Sequence, residues 1–343
     1  MRRLISLPAC IALVLMFGTS AALAQYQQKN LNSNQIGWAL HADPLLANGW
    51  GLAYGPGSPF WVNDNTSGWS TLYDGSGKQV QAVKVVVPTA GENGPGSPTG
   101  IVFNGSQDFQ LSGHPAVFIF DTLDGTISGW SPAVNFNEAV LAPLNPAPTG
   151  AVYTGLAISS NASGNFLYAA DVANNKVDVY DGSFNLVMSF TDTTLPSGFA
   201  PFGIQDIGGM VYVTFANVAG GPGGFVDVFK EDGTFVKQLV KGNHLNQPWG
   251  VAMAPKDFGP LSGALLISNN TNTGTINGFN PATGKFVGQV MDTTGKPIQI
   301  NQLWGIEFGG GTAADGGKNQ LFFTAGPDAG VGGVFGVINL VMQ

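Results

Sequence analysis

Cys10 is the only cysteine of this 343-residue chain, and Arg2 and Arg3 are its only arginines. All three precede an Ala22-Leu23-Ala24 signature, in a segment whose apolar run extends from Leu4 towards Phe17. A basic start, an apolar middle and an A-x-A end mark a secretory signal peptide, so residues 1–24 are expected to be cleaved and the mature protein to begin at Gln25. The mature chain then has neither Cys nor Arg. That excludes a disulfide framework, a thiol nucleophile and a Cys-ligated metal, and leaves stability after export to the core. It also removes the bidentate guanidinium grip on phosphate or carboxylate.

Charge is scarce as well, at 10% of all residues. Eleven Lys against 21 Asp and Glu give the mature chain a formal charge of 11 − 21 = −10, which repels nucleic acid and anionic lipid and argues against both as partners. Beyond the leader no stretch of about 18 apolar residues occurs, so no stable membrane insertion is expected. The G-x-S-x-G nucleophile elbow, the H-E-x-x-H zinc pair, the phosphate-binding G-x-x-x-x-G-K-[ST] loop and the EF-hand spacing are all missing. Their absence counts against the common hydrolases, although propellers assemble sites from single residues on separate blades.

Turn formers are plentiful, with 50 Gly and 21 Pro, and the Glu/Lys/Ala periodicity of exposed helices is not. An all-β fold follows. Within it, a glycine preceded by Trp, Phe or Thr and followed by an aliphatic residue returns six times, at Gly51, Gly100, Gly155, Gly203, Gly250 and Gly305. Their spacings of 49, 55, 48, 47 and 55 residues define a repeat architecture. After each anchor comes the same series of strand signals, clearest in the third copy at residues 155–158, 166–171, 176–180 and 186–190, separated by Asn-, Asp- and Gly-bearing turns. Four short antiparallel strands make one propeller blade, and six copies predict a six-bladed β-propeller that occupies residues 25–343 as a single domain.

The sixth copy runs out of chain after its third strand, while about 20 residues precede the first anchor. A ring cannot leave a long edge unpaired. Part of the segment 26–31 is therefore expected to supply the outermost strand of the last blade. Residues 88–98, 219–224 and 309–317, rich in Gly and Pro, read as loops within or between blades.

Several of these segments, among them Trp50-Gly51-Leu52, Phe60-Trp61-Val62-Asn63-Asp64-Asn65, Asp124-Gly125-Thr126-Ile127-Ser128-Gly129-Trp130 and Asn246-Gln247-Pro248-Trp249-Gly250-Val251, resemble a conserved-hypothetical family of secreted bacterial proteins. The resemblance spans nearly the whole mature chain. That family is similar in repeat style to NHL and gluconolactonase-like six-bladed propellers, and it brings no catalytic residue to transfer. Some members end in a membrane-sorting tail. Residues 337–343 carry none, so secretion or periplasmic residence is expected.

In a propeller the anchor precedes the innermost strand, and the loop after the second strand returns to the same face. One face is therefore expected to gather Trp50, Phe202, Trp249 and Trp304 around the channel mouth, ringed by Asp64, Asp121, Asp171 and Asn269. Rings that stack on apolar faces beside orienting amides and carboxylates suit a glycan or small neutral ligand. The same aromatic residues also wedge blades together, and the same Asp and Asn close turns. Glu307 breaks the repeat, since the equivalent positions are Ala53, Val102, Ala157, Gln205 and Ala252. With Asp64, Asp121, Asn269 or Gln205 it is a candidate ligand for Ca2+ or another divalent metal, as the likeness to gluconolactonase-like propellers implies. His41, His114 and His244 read as loop histidines, His244 alone being placed to act as a base.

The sequence thus supports a monomeric, exported propeller that needs no cofactor and binds a glycan, a small neutral molecule or an extracellular protein through its aromatic face. A metal-dependent hydrolase or lactonase with its site in the channel stands as the alternative, and an adhesive matrix protein as a second.

Overall fold

A computed structural model of the protein describes residues 25–80, 82–242 and 244–341, and the leader expected at 1–24 lies outside them. The fold is a six-bladed β-propeller. Blade 1 contains strands Gly49–Ala53, Phe60–Asp64, Trp69–Tyr73 and Val85–Val86, and blade 2 Pro98–Phe103, Phe118–Thr122, Ile127–Trp130 and Val140–Leu141. Blade 3 is built from Tyr153–Asn161, Gly164–Asp171, Lys176–Asp181 and Leu186–Phe190, and blade 4 from Phe199–Asp206, Met210–Asn217, Phe225–Lys230 and Phe235–Lys241. Blade 5 follows with Pro248–Met253, Leu265–Asn269, Ile276–Phe279 and Phe286–Gln289. Blade 6 has Leu303–Phe308, Leu321–Ala325 and Val334–Val341, and its fourth strand is Gln25–Ser33, antiparallel to Val334–Val341. The N-terminal strand closes the ring as expected and runs two residues beyond Leu31.

Close approach at the centre explains the repeated glycine. A Cβ on Gly51 would sit 2.2 Å from the Thr99 carbonyl oxygen, one on Gly100 2.2 Å from the Leu156 nitrogen, and one on Gly203 2.1 Å from the Trp249 oxygen. At Gly250 and Gly305 the oxygens of Trp304 and Trp50 are 2.8 and 2.9 Å away, and Gly155 is the loosest at 3.2 Å from the Phe202 oxygen. Each anchor thus abuts the backbone of the next blade, and Gly305 returns to blade 1. No side chain fits between inner strands this close.

Every anchor also lies in a register slip between the first and second strands of its blade. Such a bulge leaves backbone groups unpaired. The second strand answers with a polar residue at the equivalent position, Asn63, Asp121, Thr214, Ser268 and Thr324 in five blades, and Ala170 in blade 3. Thr214, Ser268 and Thr324 accept the anchor amides of Gly203, Gly250 and Gly305 at 2.9, 2.7 and 2.9 Å. Ser268 and Thr324 also donate onward to the carbonyls of Trp304 and Trp50 in the next blade. In blade 3, where the second strand offers only Ala170, Thr154 supplies the bond to the Phe202 carbonyl at 2.8 Å.

Six apolar clusters fill the structure, one for each junction between neighbouring blades. At the junction of blades 1 and 2, Trp61 stacks on Phe118 with centroids 4.3 Å apart. At the closing junction Phe60 meets Phe322 at 4.4 Å. Tyr26, from the N-terminal strand, packs on Phe258 and donates to its carbonyl at 2.7 Å, which ties the last blade to the fifth.

One detail departs from the sequence reading. The Gly/Pro-rich segment 88–98 contains a small hairpin, Pro88–Thr89 with Glu92–Pro95, because the turn between them lets this insertion pair with itself. Ahead of the second strand of blade 2 lies a separate hairpin, Gln110–Leu111 with His114–Pro115. No helix among the described residues is long and apolar enough to cross a membrane.

Candidate functional site

The anchor layer divides the central channel into two ends of different character. At the end preceding the glycines, Trp50, Trp249, Trp304 and Phe202 do converge. Trp304 lies on Trp50 with centroids 3.6 Å apart and planes 16° from parallel, Trp249 meets both edge-on at 6.4 and 6.0 Å, and Phe202 tilts against Trp304 at 5.7 Å. Left-handed backbone at Asn48, Gln247 and Gln302 turns the chain inward two residues before each of the three tryptophans. The indole of Trp249 donates to the Thr154 carbonyl at 2.7 Å and that of Trp304 to Asn48 at 3.0 Å. Trp50 and Trp304 are only 6% and 7% exposed, with Trp249 and Phe202 half-buried. The rings pack against one another across the channel, and the buried indole N–H of Trp50 has no hydrogen-bond partner among the described residues.

The polar residues expected beside these rings bond backbone groups and neighbouring side chains, and one carboxylate oxygen each of Asp64 and Asp121 is buried without a partner among the described residues. Asp121 accepts the Gly100 amide at 2.5 Å and the Thr99 hydroxyl at 2.6 Å, and burial pushes its carboxyl up to about 6. Asp171 accepts the amides of Val152 and Asn174 and the Asn174 side chain, closing a turn. Asn269 pins the entry to blade 5 by accepting the Asn246 amide at 2.9 Å and donating to the His244 carbonyl at 3.1 Å. Asp64 is fully buried against the Thr71 hydroxyl at 2.8 Å, and burial, with the charge of Asp43 nearby, raises its carboxyl well above the ordinary range.

The other end of the channel is open. Past the glycines, residues from several blades line a cavity of about 390 Å3, among them Tyr54, Phe103, Ile158, Gln205, Asp206 and Glu307. A small neck of about 30 Å3, bordered by Gly100, Gly250, Gly305 and Trp249, lies between it and the packed rings, and Glu307 and Gln205 line both spaces. Burial pushes the Glu307 carboxyl up to about 7, against the Phe308 amide, which favours the charged form. Tyr54 is held up to about 12 by burial and by the charges of Glu307 and Asp315, so it remains a neutral phenol. Asp206, raised by burial, accepts from the Ser159 hydroxyl at 3.1 Å, and Ser159 also bonds Glu231.

Glu307 therefore stands apart from three of its expected metal partners. Asp64 pairs with Gly49 and Asn269 with Pro248, both before an anchor, and Asp121 spends its carboxylate on an anchor amide, whereas Glu307 comes after its glycine. Gln205 does share the cavity. Among the described residues no group of three His, Cys, Asp or Glu side chains is placed to hold a metal ion.

No established family profile matches the chain. An uncharacterised protein of Acanthamoeba polyphaga mimivirus is 30% identical over 348 residues, covering 94% of this chain and 82% of its relative, and a second from the same virus is 31% identical over 311 residues, covering 84% and 80%. The chain belongs to their family. These relatives are viral, where the sequence pointed to bacterial proteins. Among solved structures, virginiamycin B lyase of Staphylococcus aureus superposes with a TM-score of 0.55 at 14% identity, over 93% of this chain and all of that one. A gluconolactonase of Xanthomonas campestris gives 0.52 at 10%, over 87% and 88%. At these identities the likeness is one of fold alone.

Sequence reasoning picked out Glu307 and Gln205 in this cavity but passed over Tyr54, Phe103 and Asp206. All three lie three residues after an anchor, where the other blades carry Ile158, Met253 and Phe308. Reading that column as well as the one before it is the signal that finds them. The three histidines are exposed and outside the cavity, and His244 stacks on Phe286 at 3.8 Å.

Proposed function

We propose that this family member is an exported binding propeller that holds a small molecule in the channel mouth at Glu307. One observation carries the reading: a cavity of about 390 Å3 whose walls come from separate blades, apolar at Ile101 and Ile158 and polar at Gln205 and Glu307. That is the size and mixture of surface of small-ligand sites. The burial of Trp50 and Trp304 argues for the Glu307 end over the aromatic end, since a glycan platform needs free ring faces. Export rests on the leader sequence at 1–24. Thermal-shift and calorimetric screening of small amines, lactones and glycosides against wild type and Ala53→Trp tests the site, because the indole would fill the mouth. Binding that survives Ala53→Trp unchanged would place the ligand elsewhere.

A second reading, a hydrolase acting on lactones or esters, is favoured by a carboxyl held at about 7, where it can both give and take a proton. Lactone hydrolysis that is lost in Glu307→Gln supports it. Titrating Ca2+ into both proteins tests the metal requirement.

A further inference from the structure

We propose that the cavity at Glu307 takes an organic ammonium ion, a protonated amine carried on an apolar body. The proposal rests on the assignment of this cavity as the ligand site. Two carboxylates, Glu307 and Asp206, line the space, and no Lys, Arg or His does. Asp206 is already engaged by the Ser159 hydroxyl and the Gly209 amide. Glu307 has only the backbone amide of Phe308 beside it and no side-chain partner among the described residues. A half-buried carboxylate facing apolar walls loses hydration without regaining a counter-charge, and a bound cation restores one.

The remaining lining fits the rest of such a ligand. Tyr54 and Phe103 add two aromatic rings, whose faces attract a desolvated ammonium. Ile101, Ile158 and Leu52 offer apolar surface for the body that carries it. Gln205 provides an amide oxygen for a second N–H. An anionic ligand would meet two acids and no base. A neutral one would leave Glu307 uncompensated. The mature chain, with 21 acidic residues against 11 lysines, draws cations towards the protein in the same sense.

Calorimetry at pH 7.5 with 2-phenylethylammonium, its neutral counterpart 2-phenylethanol and the anion phenylacetate tests the assignment. The amine is expected to bind at least about tenfold more tightly than the alcohol, and phenylacetate not at all. Glu307→Gln should erase the preference, so that amine and alcohol bind the variant equally, its fold verified by an unaltered melt. Alcohol binding as tight as the amine's, or an amine preference that survives Glu307→Gln, overturns the ammonium assignment but leaves the cavity as a ligand site. Amine binding that persists in Ala53→Trp, or wild type that binds none of the three, overturns both.

Discussion

Trp304 of the last blade lies flat against Trp50 of the first, their ring centroids 3.6 Å apart. The contact joins the two blades at the channel, while Gln25–Ser33 joins the chain's two ends at the rim. The closing junction is therefore held at both its inner and outer ends.

Trp304→Ala removes the stack on Trp50, the edge contact with Trp249, the tilted contact with Phe202 and the bond to Asn48. A loss of about 3–5 kcal/mol is expected, in the range of large aromatic truncations in a core. Urea unfolding of the variant checks it, and a loss below about 1 kcal/mol would show that the ring packing is dispensable.

Deleting residues 25–35 exposes the edge of Val334–Val341 and removes Tyr26 from its seat on Phe258. The truncated protein should lose its cooperative melt by calorimetry. A transition as sharp as that of the intact chain contradicts this.

The anchors differ in how much room they leave. Gly203→Ala places a Cβ 2.1 Å from the Trp249 oxygen, and Gly155→Ala one 3.2 Å from the Phe202 oxygen. Overpacking of this kind costs about 1–3 kcal/mol or more, so Gly203→Ala should be the more damaging of the two. Equal melting temperatures for the pair would refute the close-approach account.

Asp227 is fully buried beside Asp192, and burial, the charge of Asp192 and a hydrogen bond to its carboxylate push the Asp227 carboxyl up to about 8. An unfolded aspartate titrates near 3.9, so the folded state keeps a proton that the unfolded chain releases. Stability from this group is full below pH 4 and is lost as pH rises towards 8. Asp227→Asn should match wild type near pH 4 and exceed it by a few kcal/mol at pH 9. Urea titrations at the two pH values measure the difference, and a gap independent of pH rules the mechanism out.

Much of the ring was legible because its cause is local and repeated. The close contact at Gly51 recurs at each later anchor, so six independent copies report one geometric demand. The N-terminal strand was legible by accounting, since a blade short of one strand needs Tyr26 and its neighbours. The open end of the channel was not. Whether Trp50 and Trp304 face solvent or each other depends on packing between the first and last blades, which no local pattern encodes. The same holds for Asp121, whose role is set by an anchor amide 21 residues earlier. Glu307 stood out because it breaks a column of small and apolar residues. Tyr54 and Phe103 did not, because aromatic residues are common throughout the chain.

The pairing of Gln25–Ser33 with Val334–Val341 has a consequence in time. The first strand to be synthesised must wait, without its partner, until nearly the whole chain is available. Contacts of such sequence separation slow folding. A ring that cannot shut until Val334–Val341 has been made keeps an open edge for as long as that strand is missing.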